Sequence, residues 1–103
     1  MDDANPLRQY FAANEGREIY KWLHYFDIYH RHFAIFRDRP VTVLEIGVAH
    51  GGSLQMWRHY FGESATIVGI DTDSRCLAVQ EDRIHVRIGS QTDRTFMLGV
   101  VNE

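Results

Sequence analysis

From Arg17 to Arg37 the apolar residues Ile19, Trp22, Leu23, Phe26, Tyr29, Phe33 and Phe36 recur with the i, i+3, i+4, i+7 spacing of one helix face. This spacing predicts an amphipathic helix with an aromatic inner side. Pro40 ends it, because the residue before a proline is pushed out of the α region. Beyond Pro40 the period shortens. VTVLEI (41–46) and TIVGID (66–71) are β-branched apolar runs ended by acids or glycines, and IHVRI (84–88) is a weaker third, so three strands are predicted. Between them GSLQMWRHYFG reads as a helix closed by Gly62, and DSRCLAVQ as a shorter one with Asp73 or Ser74 placed to cap it. A last helix is predicted from about Thr92 or Asp93 to the end. Residues 1–16, with Pro6 and the turn-like Asn14-Glu15-Gly16, carry no sustained period and read as a loose lead-in.

Strands alternating with helices imply an α/β fold with right-handed crossovers. The expectation is a partial, Rossmann-like, three-stranded parallel sheet in the order 3-2-1, with flanking helices and the aromatic helix in front. The 103 residues suffice for one domain, here 17–103. A formal charge of −3 supplies no broad basic field, which argues against nucleic acid as a partner. The acidic start MDDANPLRQY does not resemble a signal peptide, and no apolar run approaches the length of a membrane span. Cys76 is the single cysteine, so an internal disulfide is excluded and a cytoplasmic location is expected. On a short apolar helix it reads as a small core residue.

The chemistry concentrates in VTVLEIGVAHGGSL (41–54), a strand running through a glycine loop into a helix. This arrangement aims backbone N–H groups at a ligand. Three ligands compete for the loop. A P-loop needs a lysine where this chain has Ser53 and Leu54. A dinucleotide fingerprint can be laid on Gly47, Ala49 and Gly52 with Asp71 farther on, but it places alanine at the close-approach position. Glu45 would also oppose a pyrophosphate, by about 1 kcal/mol per like-charge contact even in a water-like dielectric. S-adenosylmethionine carries an ammonium, a sulfonium and ribose hydroxyls and no phosphate, and for it the two acids are assets. An NAD-type Rossmann protein and a non-catalytic remnant or interaction module remain the alternatives. Six histidines (24, 30, 32, 50, 59 and 85) form no H-x-x-x-H pair with an acid in zincin style, so no metal site is assigned. His50 reads as a polar loop residue.

The runs LEIGVAHGGS, IVGIDTD and VRIGSQTD, preceded by YKWLHYFDIYHRHF, resemble the first half of class I S-adenosylmethionine-dependent methyltransferases. Within that class the resemblance is to the macrocin and mycinamicin O-methyltransferases and the related cephalosporin hydroxylase-like and rhamnosyl O-methyltransferase proteins, over about residues 18–103. It implies that Glu45, Gly47, Gly51, Gly52 and Ser53 surround the methionine portion of the cofactor, that Asp71 binds the ribose, and that Ser90 and Gln91 lie beside adenine. Ser90 departs from the Asp that many class I members carry there. His24 and Tyr25 would close over the cofactor. The resemblance further implies an acceptor hydroxyl on a saccharide or glycosylated natural product, and Mg²⁺ held by residues that follow a fourth strand. The expectation is therefore a truncated cofactor-binding half, inactive alone, with no catalytic or metal residue of its own. It leaves strand 1 as an open edge, and the aromatic helix could serve as a homo-oligomer surface.

Overall fold

A computed structural model describes residues 5–14 and 23–102. The chain forms α1 (Pro6–Ala13), α2 (Leu23–Phe33), a 3₁₀ turn (Ala34–Phe36), β1 (Thr42–Ile46), α3 (Gly52–Phe61), β2 (Thr66–Asp71), a 3₁₀ helix (Ser74–Val79), β3 (Ile84–Ile88) and α4 (Arg94–Val101). The strands are parallel in the order β1-β2-β3, which is the expected 3-2-1 read from the other edge. β2 and β3 occupy the predicted residues, and β1 begins one residue late, at Thr42. Residues 17–22 of the predicted aromatic helix lie outside the described residues.

The loose lead-in is corrected in part, since eight of its residues form α1. Eight residues are too few for a period to show, and the determinants are a cap and tertiary contacts. Asn5 Oδ1 accepts the Leu7 N–H at 2.9 Å, and Pro6 stands at the first helical position, where its missing N–H costs nothing. The Asn5 amide also donates to the Phe26 carbonyl (2.9 Å) and to Asp27 Oδ1 (3.1 Å), so both the oxygen and the nitrogen of this buried side chain have partners. Arg8 grips Asp27 with two nitrogens, at 3.0 and 2.8 Å. α1 is thereby fastened to α2, with Leu7 inside the core.

Register sorts the sheet into two unequal faces. Val43, Glu45, Ile67, Gly69, Asp71, Ile84 and Val86 alternate onto the side that α3 covers. There Leu54, Met56, Trp57, Tyr60 and Phe61 of α3 are buried. Gly69 lets the helix come close, because a Cβ at that position would stand 2.8 Å from Val48 Cγ2 and 2.9 Å from Leu54 Cδ1. Tyr29 and Phe33 of α2 meet the Trp57 ring edge-on at 5.2 and 5.8 Å, the aromatic inner face that the spacing predicts. Phe36 departs from it: it falls in the 3₁₀ turn and is 41% exposed. On the other sheet face Leu44 and Ile46 are 41% and 50% exposed. Among the described residues β1 has β2 as its one neighbour.

Two measurements test the α1 anchor. Asn5→Ala should lower the unfolding free energy by about 1–3 kcal/mol, a lost cap plus lost buried hydrogen bonds, read by urea denaturation. The Arg8 guanidinium, followed by the Asn5 amide, holds the Asp27 carboxyl down at about 2, against an ordinary 3.8. A depressed carboxyl stabilises the fold above its unfolded value and loses that effect as pH falls through its folded value. The stability advantage of the native chain over Asp27→Asn should thus be full above pH 3.8 and vanish as pH falls through about 2. A gap that stays constant over this window would remove the ion pair from the account.

Candidate functional site

The ends of the three strands converge on Asp71, the last residue of β2. Its Oδ2 accepts the Val48 N–H at 2.9 Å, and its Oδ1 accepts the Asp73 N–H at 2.9 Å. Its main-chain oxygen accepts the Gly89 N–H at 2.9 Å, just past β3. The side chain thus joins the β1 loop to the β2 turn, and the backbone joins both to β3. Hydrogen bonds to a carboxylate favour the charged form, so the N–H groups of Val48 and then Asp73 hold this carboxyl below its ordinary value.

The loop after β1 has positive φ at alternate residues: Gly47 (91°), Ala49 (50°) and Gly51 (82°). Gly51 is glycine for two reasons, its φ and a Cβ that would stand 2.8 Å from Val79 Cβ; at Gly47 only the φ demands it, since no atom lies within 4 Å. Ala49 adopts the left-handed region with a Cβ, at a cost of about 1–2 kcal/mol, so its neighbours must hold it there. α3 then begins at Gly52 with no side-chain cap. One turn in, Ser53 Oγ is buried without a hydrogen-bond partner, a polar atom that folding alone leaves unsatisfied.

The eight predicted residues fall into two groups. Gly47, Asp71, Ser90 and Gln91 line one cleft of about 280 Å³ at the strand ends, together with Thr72 and Gly89, which the sequence reading did not name. Gly51, Gly52 and Ser53 form the turn into α3, and Glu45 is directed to the α3 side of the sheet, where an aromatic groove of about 570 Å³ opens beside Tyr29, Phe33 and Trp57. Ser90 Oγ meets Thr92 Oγ1 at 2.7 Å and accepts the Thr92 N–H at 3.1 Å, shaping the turn before α4, while Asp93 caps that helix through the Phe96 N–H. Asp73 caps the 3₁₀ helix through the Arg75 N–H and pairs with Arg75 at 2.6 Å. His50 and Cys76 lie behind Asp71 in a cleft of about 440 Å³. Burial, aided by Asp71 and Asp73, pushes the Cys76 thiol up, away from nucleophilic use. Tyr25 is 41% exposed, and the His24 side chain is outside the described residues. Among the described residues no three His, Cys, Asp or Glu side chains gather as metal ligands.

No protein-family profile matches the chain. It is 40% identical over 100 residues to the 8-demethyl-8-(2-methoxy-alpha-L-rhamnosyl)-tetracenomycin-C 3'-O-methyltransferase of Streptomyces olivaceus, covering 89% of this chain and 25% of that protein. It is 41% identical over 83 residues to demethylmacrocin O-methyltransferase of Streptomyces fradiae, covering 71% and 20%. Among solved structures, the MycE methyltransferase from the mycinamycin biosynthetic pathway, in complex with Mg and SAH, superimposes with a TM-score of 0.75 at 31% identity over 98% of this chain and 26% of its own. Over its own length the chain is similar in sequence and in fold to the macrocin and mycinamicin O-methyltransferases. It spans about a quarter of the length of these relatives. Within the described residues, the strand-end cleft and the turn into α3 are the candidate site.

The two glycines give a graded test of the loop. Gly47→Ala meets only the φ penalty and should cost about 1 kcal/mol. Gly51→Ala adds overpacking against Val79 and should cost about 2–4 kcal/mol in the same denaturation measurement. Equal costs, or the reverse order, would contradict the packing of the loop on Val79.

Proposed function

We propose that this chain is the S-adenosylmethionine-binding portion of an O-methyltransferase whose acceptor is a hydroxyl of a saccharide or glycosylated natural product. The carrying observation is a glycine loop that opens α3 without a lysine and has two acids, Glu45 and Asp71, on the same sheet face around it. The names of the relatives support the acceptor class, and the SAH in the solved relatives supports the cofactor. The residues present fit that group. When bound, S-adenosylmethionine supplies an electrophilic methyl on a sulfonium. Ser53 Oγ and the uncapped N–H groups of α3 suit a carboxylate. Glu45 suits an ammonium. Asp71 uses one position on each oxygen for backbone N–H groups and keeps acceptor capacity for ribose hydroxyls. Ser90 and Gln91 border the space assigned to adenine.

The contribution of these residues is binding and orientation, which convert a bimolecular encounter into a positioned one. Magnesium accompanies the solved relatives, but the described residues gather no ligand set for it, so no step is assigned to it in this segment. The free, buried Cys76 supports a reducing, cytoplasmic setting, and no described helix is long and apolar enough to cross a membrane.

Calorimetric titration should give saturable binding of S-adenosylhomocysteine and none of NAD. Asp71→Ala should weaken the former by about 10- to 150-fold, as for lost hydrogen bonds to a charged group. Asp73→Ala should leave affinity nearly unchanged and lower only stability, its carboxylate serving as a cap. Binding of NAD instead, or an equal or larger loss for Asp73→Ala, would reject the assignment.

A further inference from the structure

We propose that the 3₁₀ helix after β2 is the strut that presets the glycine loop for its ligand, and that Cys76 on it is a positioning residue, its thiol holding the Ala49 carbonyl and with it the left-handed turn of the loop. The strut is fastened at both ends. At the first end the Asp73 N–H donates to Asp71 Oδ1 at 2.9 Å, and the Asp73 carbonyl accepts the Cys76 N–H at 3.0 Å. At the far end Gln80 Oε1 accepts the Val86 N–H at 2.9 Å, on the side of β3 that has no further strand among the described residues. Between these ties two buried side chains meet the loop that leaves β1. Val79 stands where a Cβ on Gly51 would lie 2.8 Å from its own. Cys76 Sγ lies 3.7 Å from the Ala49 carbonyl oxygen, within reach of a thiol donor. The helix therefore links the outer side of β3, through the end of β2, to the loop after β1.

The polar contacts close into a ring. Val48 donates to Asp71 Oδ2 at 2.9 Å, the next carbonyl along meets Cys76, the Cys76 N–H meets Asp73, and the Asp73 N–H returns to Asp71. Ala49 sits inside that ring with φ at 50°, a conformation that a residue with a Cβ keeps only when its surroundings impose it. In a trans peptide the C=O and N–H point opposite ways, so a carbonyl turned to Cys76 leaves the His50 N–H facing away from the strut. A flip of this peptide would exchange donor for acceptor along the loop. Burial first, and then the Asp71 carboxylate, keep the thiol protonated, which is the form that donates. A loop already held in its binding conformation loses no affinity to time spent in others. The inference rests on the cofactor reading for what the loop receives, while the strut itself is observable without a ligand.

The test uses the whole chain, labelled with ¹³C and ¹⁵N. Without ligand, Cys76→Ala should move the Ala49 carbonyl ¹³C resonance upfield, as for a carbonyl that has lost its donor. With ligand, the same variant should weaken S-adenosylhomocysteine by about 3- to 10-fold in calorimetric titration, as for one lost hydrogen bond. Cys76→Ser keeps a donor on a shorter arm and should fall between native and Cys76→Ala in both readouts. A residue that merely fills the core gives the opposite order, because a serine there adds a polar group to an apolar site. Where Cys76→Ala does not fold, Cys76→Val supplies the variant that fills the space without a donor. An Ala49 resonance unmoved in the donor-free variant, or affinity no tighter in Cys76→Ser than in that variant, would overturn the proposal. Failure of S-adenosylhomocysteine to bind the native chain, with the Ala49 resonance shifting as expected, would overturn the cofactor reading alone.

Discussion

The close approach of α3 to the middle strand at Gly69 is the constraint on which the rest of the segment depends. With no Cβ at that point, Leu54 and Val48 sit directly on the backbone of β2, closer than any side chain would allow. Val48 belongs to the glycine loop and Leu54 to the first turn of the helix, so one contact fixes both to the sheet. The Val48 N–H is then within reach of the Asp71 carboxylate, two residues along the same strand and on the same face as Gly69. Packing and polar geometry here are one event: the apolar side of Val48 finds Gly69 while its amide finds Asp71. Leu54 and Trp57 carry the contact on into the aromatic cluster with α2, and Leu7 of α1 shares that core. The loop that would face a ligand is thus the upper boundary of the hydrophobic core.

Much of this was legible in the sequence because it is periodic or local. The strands are short β-branched runs whose ends are marked by glycine and aspartate, and the turn into α3 is marked by Gly51-Gly52. Gly62, with φ 95°, closes α3 as its position suggested. What was not legible is what depends on partners distant in sequence. α1 owes its existence to Asn5 reaching Phe26 and Asp27, about twenty residues away, and eight residues show no period that would announce it. Phe36 continued the helical spacing on paper, yet the chain tightened into a 3₁₀ turn at Ala34 and exposed it.

The site shows the same division. The sequence names the acids and glycines, but not that Asp71 is engaged by the N–H groups of two loops, because a backbone donor has no letter in the sequence. Ala49 gave no sign of a positive φ, which is rare outside glycine. Nor does the sequence reveal that Glu45 and the strand-end cleft lie in different openings. The period of two puts Glu45 on the α3 face, whereas the cleft is made of the loops beyond the strand ends.

The position of β1 gives the Asp71 bond its weight. A central strand is held on both sides, and its outgoing loop inherits that rigidity. β1 is an edge among the described residues: Val41 and Gly47 turn their backbone groups to β2, so those of Thr42, Leu44 and Ile46 turn away from it. None of these three residues is charged, and two are apolar and half-exposed, so the edge lacks the usual protection against pairing. A loop leaving such a strand would move with it, and local openings concentrate where backbone hydrogen bonds face solvent. The side-chain bond from β2 to Val48 and the main-chain bond from Gly47 to Ile70 tie the loop to the middle strand instead, which has neighbours on both sides. The site geometry therefore belongs to β2 more than to the strand that carries the glycines.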